Sequence, residues 1–199
     1  MSRLRAMFVL SLFLFARSVA ADDRFDVGLL LGATTASNEG AVLQFDRALT
    51  YQATFGWRFW EGDRVALSVE VPFLASPAFT IATPDGSLPK EYASLYLTPG
   101  VRATLPIRGR VSVFGAMGAG YARYSESRLR RDSTSNPGQQ DTNTGALQFG
   151  GGINVRGWSW LGFRGEVRDV YTGARRFSIA TPHGAVHNFV TSGGLELRF

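Results

Sequence analysis

From residue 25 to the C-terminus, apolar and polar residues alternate along the chain in short runs. The clearest run interleaves Leu49, Tyr51, Ala53, Phe55, Trp57 and Phe59 with Thr50, Gln52, Thr54, Gly56 and Arg58. Because successive side chains of a β-strand point to opposite sides, a period of two predicts strands with one apolar face. Eight such runs occur, around residues 25–31, 49–59, 65–73, 93–103, 111–124, 147–155, 161–168 and 189–199. In the fifth run, small residues leave the facing of the strand undecided.

The connections between these runs alternate in length. Three are short, at residues 60–63, 106–109 and 157–160, and four are long and polar, at residues 34–48, 74–90, 125–143 and 172–185. A soluble β-sandwich has no reason to sort its connections in this way, whereas membrane barrels place short turns at one end and long loops at the other. We therefore predict an all-β fold, an eight-stranded antiparallel up-and-down transmembrane β-barrel.

Closure of such a barrel requires the last strand to pair with the first. An open sheet in lipid would leave unpaired backbone groups on both edge strands, at several kcal/mol for each group. We therefore expect residues 188–199 to pair with residues 24–33.

Aromatic residues cluster at both ends of the predicted strands. Near the short turns lie Trp57, Phe59, Trp60, Trp158, Trp160 and Phe199, and near the long loops lie Tyr51, Tyr121, Tyr171 and Phe189. Two aromatic girdles at the membrane interfaces are typical of transmembrane barrels. Filling of a soluble core is the alternative, but it does not explain the clustering.

The N-terminus has the pattern of a secretory signal peptide. Arg3 and Arg5 precede the apolar residues 6–16, and the small residues Ala20 and Ala21 follow. An N-terminal membrane anchor is the alternative, but the apolar run is too short to span a bilayer. We expect a cleaved signal peptide at 1–21 and a barrel at 22–199, in the bacterial outer membrane.

Charge and composition argue against several classes of function. Removing three arginines with residues 1–21 leaves 18 basic against 16 acidic residues, a net charge of +2. This balance gives little support to a nucleic-acid partner. There is no cysteine, no Cys/His cluster and no glycine-rich phosphate loop, so we expect no metal, no cofactor and no disulfide.

Charged residues occur on the polar side of several predicted strands. An Arg or Lys facing lipid at the bilayer midplane costs about 2–4 kcal/mol, so these side chains are expected to face the lumen. An eight-stranded barrel is only wide enough for its side chains to fill it. We therefore predict a lumen ion-pair network of Arg58, Glu70, Arg102, Arg164, Glu166, Arg168, Glu196 and Arg198, with Arg156 belonging to the same polar set.

Three stretches resemble parts of a known family. The ending Ser192-x-Gly194-x-x-Leu197-x-Phe199 resembles the C-terminal signature of bacterial outer-membrane proteins. The stretch from Phe114 to Tyr121 looks like the glycine-rich fifth strand of OmpA- and OmpX-type small barrels, and residues 149–155 and 163–168 are similar to their sixth and seventh strands. The resemblance implies that the barrel assembly machinery reads Ser192, Gly194, Leu197 and Phe199. It also leads us to expect no peptidoglycan-binding domain after Phe199.

The reading that fits best is a non-enzymatic scaffold that displays four extracellular loops, in a structural, adhesion or other surface-interaction role. A lipid A deacylase or acyltransferase is one alternative. His183 and His187, expected in or beside the fourth loop, are the two histidines, and Ser178 and Ser192 are not spaced to promise a nucleophile and base. A small-solute pore is the other alternative, which a filled lumen disfavours.

Outer-membrane lipids, including lipopolysaccharide, are the expected partners of the barrel. In the third and fourth loops the arginines Arg128, Arg130, Arg131, Arg175 and Arg176 could meet lipopolysaccharide phosphates, which guanidinium groups bind in bidentate fashion. Alternatively, these arginines are solvated, and Glu126, Asp132 and Asp141 balance their charge within the loops. The two explanations fit the sequence equally well. The loop ligand stays open at this point.

Overall fold

Each strand pairs antiparallel with the strands on either side of it in the sheet, and the last strand pairs with the first. The computed structural model describes residues 24–36, 47–80, 90–130, 132–138, 141–173 and 185–199. The strands are β1 (Phe25–Ala36), β2 (Ala48–Glu61), β3 (Ala66–Thr80), β4 (Glu91–Leu97), β5 (Gly100–Arg108), β6 (Val111–Glu126), β7 (Asp141–Arg156), β8 (Leu161–Thr172) and β9 (Val186–Arg198). In these ranges, no helix is long and apolar enough to cross a membrane.

Strands β4 and β5 are two parts of one barrel strand. Both pair with β3 on one side and β6 on the other. Between them, Thr98 and Pro99 interrupt the strand but not the chain. Pro99 has no N–H to give to a ladder, so a proline here favours a break. The segments therefore form eight barrel strands, and the predicted fold is confirmed.

Closure occurs between β1 and β9. Their register pairs Leu29 with Leu195 and Gly32 with Ser192. This pairing is expected, because the backbone N–H and C=O groups of both edge strands need partners. At the short-turn end, Phe25 N–H donates to Phe199 O at 2.9 Å, and Phe199 N–H donates to Phe25 O at 3.0 Å. The two aromatic rings stack with centroids 6.4 Å apart.

Apolar side chains point outward and polar side chains point inward over the short-turn half of the barrel. In β2, for example, Phe55 and Trp57 are exposed whereas Thr54 and Gly56 are buried. All six aromatics that flank the short turns lie outside the buried core, as do all four near the long loops. In β6, the strand with undecided facing, Phe114 and Tyr124 are buried and Met117 and Tyr121 are exposed.

The long-loop ends of the strands extend further than the alternation predicted. Residues 74–80, expected in a loop, continue β3, and residues 141–143 belong to β7 rather than to the preceding loop. The prediction failed at β3 because buried Leu74 and Phe79 are apolar, so the apolar and polar faces are no longer distinct there. A register shift between Ser76 and Phe79 also breaks the period of two.

Two of the three short turns lie further toward the C-terminus than the sequence predicts. Trp60 and Glu61, expected in a turn, belong to β2, because a register shift after Arg58 adds a residue to the strand. Residues 106–108 belong to β5, and the turn itself lies at Gly109 and Arg110. Gly109 has a φ of 56°, a left-handed conformation that glycine adopts without steric cost.

We expect Phe199→Ser to impair delivery to the outer membrane before it impairs folding. The substitution leaves the backbone ladder between β1 and β9 intact and removes the aromatic that ends the assembly motif. The barrel level in outer-membrane fractions should fall several-fold, while refolding in detergent, followed by the heat-dependent gel shift, should persist. Phe59→Ser is the matched control, since it removes an exposed aromatic at the same rim outside the motif. Wild-type levels of Phe199→Ser would show that the motif is incidental here.

Candidate functional site

Eight charged side chains meet inside the short-turn half of the barrel, and we call them the lumen cluster. They are Asp26 from β1, Glu70 from β3, Arg102 from β5, Arg164, Glu166 and Arg168 from β8, and Glu196 and Arg198 from β9. Alternate positions of a strand share one face, which is why β8 contributes three of them. Five of the nine strand segments thus converge on one site.

Glu70 lies at the centre of the lumen cluster. Its carboxylate accepts hydrogen bonds from Arg164 Nη2 at 2.7 Å, from Arg168 Nη2 at 2.6 Å and from Arg102 Nη1 at 2.8 Å. The Glu70 side chain is 2% exposed. A carboxylate this deeply buried needs paired charges, because an unpaired buried ion loses its hydration without compensation.

The remaining carboxylates complete the pairing of the arginines. Glu166 accepts from Arg164 Nε at 2.7 Å and also bonds Arg168. Glu196 accepts from Arg198 Nε at 2.7 Å and from Arg164 Nη1 at 3.4 Å. Asp26 bonds Arg102 through both of its oxygens. The lumen cluster therefore holds four guanidinium groups and four carboxylates, and its formal charge is zero.

Neutral side chains extend the lumen cluster. The Arg164 guanidinium lies 4.2 Å from the ring centroid of Phe114, within cation–π distance. Gln52 donates to Glu166, and Ser192 donates to Gln52 at 2.9 Å. The sequence analysis did not include Asp26, Gln52 or Phe114. The alternation of β1 and β2 does place Asp26 and Gln52 on the inward face, so the signal was present for these two.

Arg58 requires a correction to the predicted network. Its guanidinium contacts Glu61 at 3.1 Å near the short turn, where the Glu61 side chain is 67% exposed. Arg58 pairs with Ser68 at the short-turn end of β2, and this end position puts its side chain at the rim of the barrel, where Glu61 is its partner. Arg156, from the same polar set, lies at the end of β7 and is exposed.

The long-loop half of the interior is aromatic and hydroxyl-rich rather than ionic. Phe79 stacks on Tyr92 with ring centroids 4.8 Å apart, and Tyr96 meets Tyr124 edge-on at 6.0 Å. A hydrogen bond of 2.8 Å joins the Tyr124 and Thr172 hydroxyls. The alternation does not predict this layer, because it assigns bulky apolar residues to the outward face.

The third loop carries two of the proposed lipopolysaccharide-binding arginines. Arg128 and Arg130 lie in a short hairpin in which Leu129 bridges to Ser135 and Arg130 N–H donates to Thr134 O at 2.9 Å. In this hairpin, hydrogen bonds from the Thr134 hydroxyl and backbone N–H lower the pKa of Asp132. The other three proposed arginines, Arg131, Arg175 and Arg176, lie outside the described residues.

Of the candidate histidines and serines, the structure describes His187 and Ser192, and these two do not form a site. His183 and Ser178 lie outside the described ranges. His187 belongs to β9 rather than to a loop, and its ring is on the outward face, with Nδ1 2.8 Å from Asp169 Oδ2. Ser192, by contrast, bonds Gln52 inside the lumen. The wall of the barrel thus separates this serine from His187. Among the residues that the structure describes, no His/Cys/Asp/Glu group could hold a metal ion.

The four residues of the C-terminal motif lie along β9 and at the chain end. Ser192 and Gly194 face inward, and Gly194 pairs with Leu30 of β1. Leu197 pairs with Leu161 and Val27, and Phe199 contacts Phe25. The motif is therefore built into the seam that closes the barrel.

A family model described as "Outer membrane protein beta-barrel domain" matches residues 6–199. The chain belongs to this family. Membership agrees with the closed barrel and its apolar outer surface, and it implies the bacterial outer membrane as location, with the outward face in contact with outer-membrane lipids.

Several solved structures share the fold of this family member. Neisserial surface protein A aligns with a TM-score of 0.60 and 12% identity, over 88% of this chain and 97% of that chain. Ail of Yersinia pestis aligns with 0.51 and 11%, over 87% and 99%. OprG of Pseudomonas aeruginosa aligns with 0.50 and 14%, over 88% and 95%. No curated protein matches the sequence. At these identities the likeness concerns the fold alone.

We expect Glu70→Ala to destabilise the barrel by about 3–5 kcal/mol, because removing one partner leaves buried guanidinium groups uncompensated. Urea unfolding of the protein refolded in lipid vesicles measures the loss. The control is Glu61→Ala, which breaks an exposed pair at the rim and should cost less than about 1 kcal/mol. Equal losses for the two variants would contradict a central role for Glu70.

Proposed function

We propose that this outer-membrane barrel is a non-enzymatic scaffold that presents its long loops at the cell surface above a lumen closed to ions. In this proposal, residues 1–21 are cleaved on export, and the barrel assembly machinery reads Ser192, Gly194, Leu197 and Phe199. The observation that carries the proposal is the lumen cluster, in which side chains from five strand segments meet around Glu70.

Two layers of side chains support a closed lumen. The lumen cluster obstructs the short-turn half, and the buried rings of Phe79, Tyr92, Tyr96 and Tyr124 occupy the long-loop half. An eight-stranded barrel has room for little more than its own side chains. A continuous water column would require both layers to move apart, at the cost of separating charges in a low-dielectric interior.

A rigid barrel suits the presentation of loops. The hairpin of the third loop is tied back to the barrel, because Lys90 N–H donates to Leu129 O at 3.1 Å and Asn136 Nδ2 donates to Glu126 at 3.4 Å. In this proposal the hairpin holds Arg128 and Arg130 at the extracellular rim, at the height of the lipopolysaccharide phosphates. We propose that these arginines, together with Arg131, Arg175 and Arg176, bind those phosphates.

We expect no stable conductance when the pure, folded protein is inserted into planar bilayers, because both layers of the lumen are filled. The measurement is single-channel recording, with a porin in the same bilayers as positive control. Reproducible current steps that depend on folded protein would refute the closed lumen and move the small-solute pore to first place.

The loop arginines give a second test. Arg128→Gln combined with Arg130→Gln is expected to weaken lipopolysaccharide binding about two- to five-fold at low salt, the range typical of exposed charge pairs, and the difference should shrink as salt is added. Arg110→Gln is the matched control, since Arg110 is exposed at a short turn and bonds Gly157 O. Unchanged affinity in the double variant would favour a solvated loop.

A further inference from the structure

Two neighbouring short turns of the barrel are basic and contain no acidic residue. Arg108 and Arg110 flank Gly109 in the turn between β5 and β6, and Arg156 ends β7 just before the turn to β8. All three arginines are exposed. Residues 92–125 and 142–165 include both turns and contain neither Asp nor Glu. Positive charge is therefore concentrated on one part of the short-turn rim.

Strand pairing brings the three arginines together. Arg108 pairs with Val111, the first residue of β6. Arg156 N–H donates to Arg110 O at 2.8 Å, and Arg110 Nη1 donates to Gly157 O at 3.1 Å, so the two turns are tied to each other. Adjacent strands lie about 4.8 Å apart, so the ends of β5 and β7 are about 10 Å apart, a span that two arginine side chains can bridge around one anion.

The described carboxylates of the short-turn rim lie on other parts of it. Glu61 and Asp63 are at the end of β2 and in the turn to β3, and the terminal carboxylate of Phe199 is at the seam between β1 and β9. Arg108 forms no ion pair with any described residue. A guanidinium group has five N–H donors, so an exposed arginine such as Arg156 can contact a neighbour in the protein and an anion at the same time.

The surrounding side chains place the basic turns at the membrane interface. Trp158 and Trp160 lie in the turn that follows Arg156, and Ile107 directly precedes Arg108. These three apolar side chains are 62%, 52% and 63% exposed. Tryptophan is enriched where a membrane protein passes from lipid to water, and the short turns of outer-membrane barrels face the periplasm. An anion bound here would therefore lie among the lipid headgroups of the inner leaflet.

Charge decides which headgroup suits this position. A zwitterionic headgroup such as that of phosphatidylethanolamine brings an ammonium group together with its phosphate, and the arginines repel the ammonium group. An anionic headgroup such as that of phosphatidylglycerol brings the phosphate without this repulsion. Guanidinium groups bind phosphate in bidentate fashion. The basic turns should therefore discriminate between phospholipids rather than bind any lipid.

We propose that Arg108 and Arg156, held side by side by Arg110, form a binding site for an anionic phospholipid of the inner leaflet. The phosphate lies between the two guanidinium groups, and the acyl chains pass the exposed rings of Trp158 and Trp160 into the bilayer. The site is at the opposite end of the barrel from the loop arginines, so it does not depend on the lipopolysaccharide binding proposed above.

Native mass spectrometry of the refolded protein in detergent, titrated with phosphatidylglycerol or phosphatidylethanolamine, tests the site. At low salt the wild type should bind phosphatidylglycerol about five-fold or more tightly, since each arginine near an anionic lipid surface contributes a factor of about five. Arg108→Gln combined with Arg156→Gln should remove most of this preference and leave the binding of phosphatidylethanolamine unchanged. Added salt should reduce the preference of the wild type.

Two control variants separate the site from the net charge of the rim and from folding. Arg58→Gln combined with Arg64→Gln removes the same number of charges from the part of the rim that contains Glu61, and should leave the preference unchanged. Arg108→Lys combined with Arg156→Lys keeps the charge and should keep most of the preference. The heat-dependent gel shift verifies folding of each variant. The glutamine variant of the loop arginines should behave as the wild type, so the two lipid proposals fail independently.

Three results with folded protein would overturn the proposal. One is equal binding of the two phospholipids by the wild type, which would leave the basic turns to an acidic partner in the periplasm. Another is a wild-type preference in the glutamine variant of Arg108 and Arg156. The third is an equal loss of preference in the variant of Arg58 and Arg64, which would make the net charge of the rim, and not a site, responsible.

Discussion

The structure depends on one constraint: in a bilayer, every backbone N–H and C=O group must find its partner within the protein. This constraint forces β1 and β9 together, with Phe25 and Phe199 exchanging hydrogen bonds at the seam. Closure in turn creates an interior that lipid cannot reach. The charged side chains of the lumen cluster face this interior, where they must neutralise one another. The lumen cluster around Glu70 follows from closure, since no strand pair alone could bury its charges.

The interior is divided by chemistry along the barrel axis. Near the short turns, four arginines and four carboxylates compensate one another, whereas near the long loops tyrosines pack by ring contacts. In the closed lumen that we propose, the cost of separating charges keeps the ionic half together, and close packing keeps the aromatic half together. Such a rigid barrel would suit the display of loops that we propose.

The outer wall of the described strands carries two ion pairs among its apolar side chains, Arg123 with Asp141 and His187 with Asp169. Along β8, apolar Val167 and Tyr171 flank Asp169, and the compensating His187 comes from the neighbouring strand.

The sequence by itself determined the fold class, because a period of two, with short and long connections in turn, is compatible with few architectures. It also determined which residues of β8 face inward, because Arg164, Glu166 and Arg168 occupy alternate positions and therefore lie on one face of the strand. Tertiary structure alone decided which charges meet, because Glu70 and Arg168 are far apart in the chain and only barrel curvature and register bring them to 2.6 Å. It also paired Arg58 with Glu61 at the short-turn end of β2 rather than with the lumen cluster, although the alternation places Arg58 on the inward face. It also placed His187 beside Asp169, because strand register across β8 and β9 is set by closure of the whole barrel rather than by either strand.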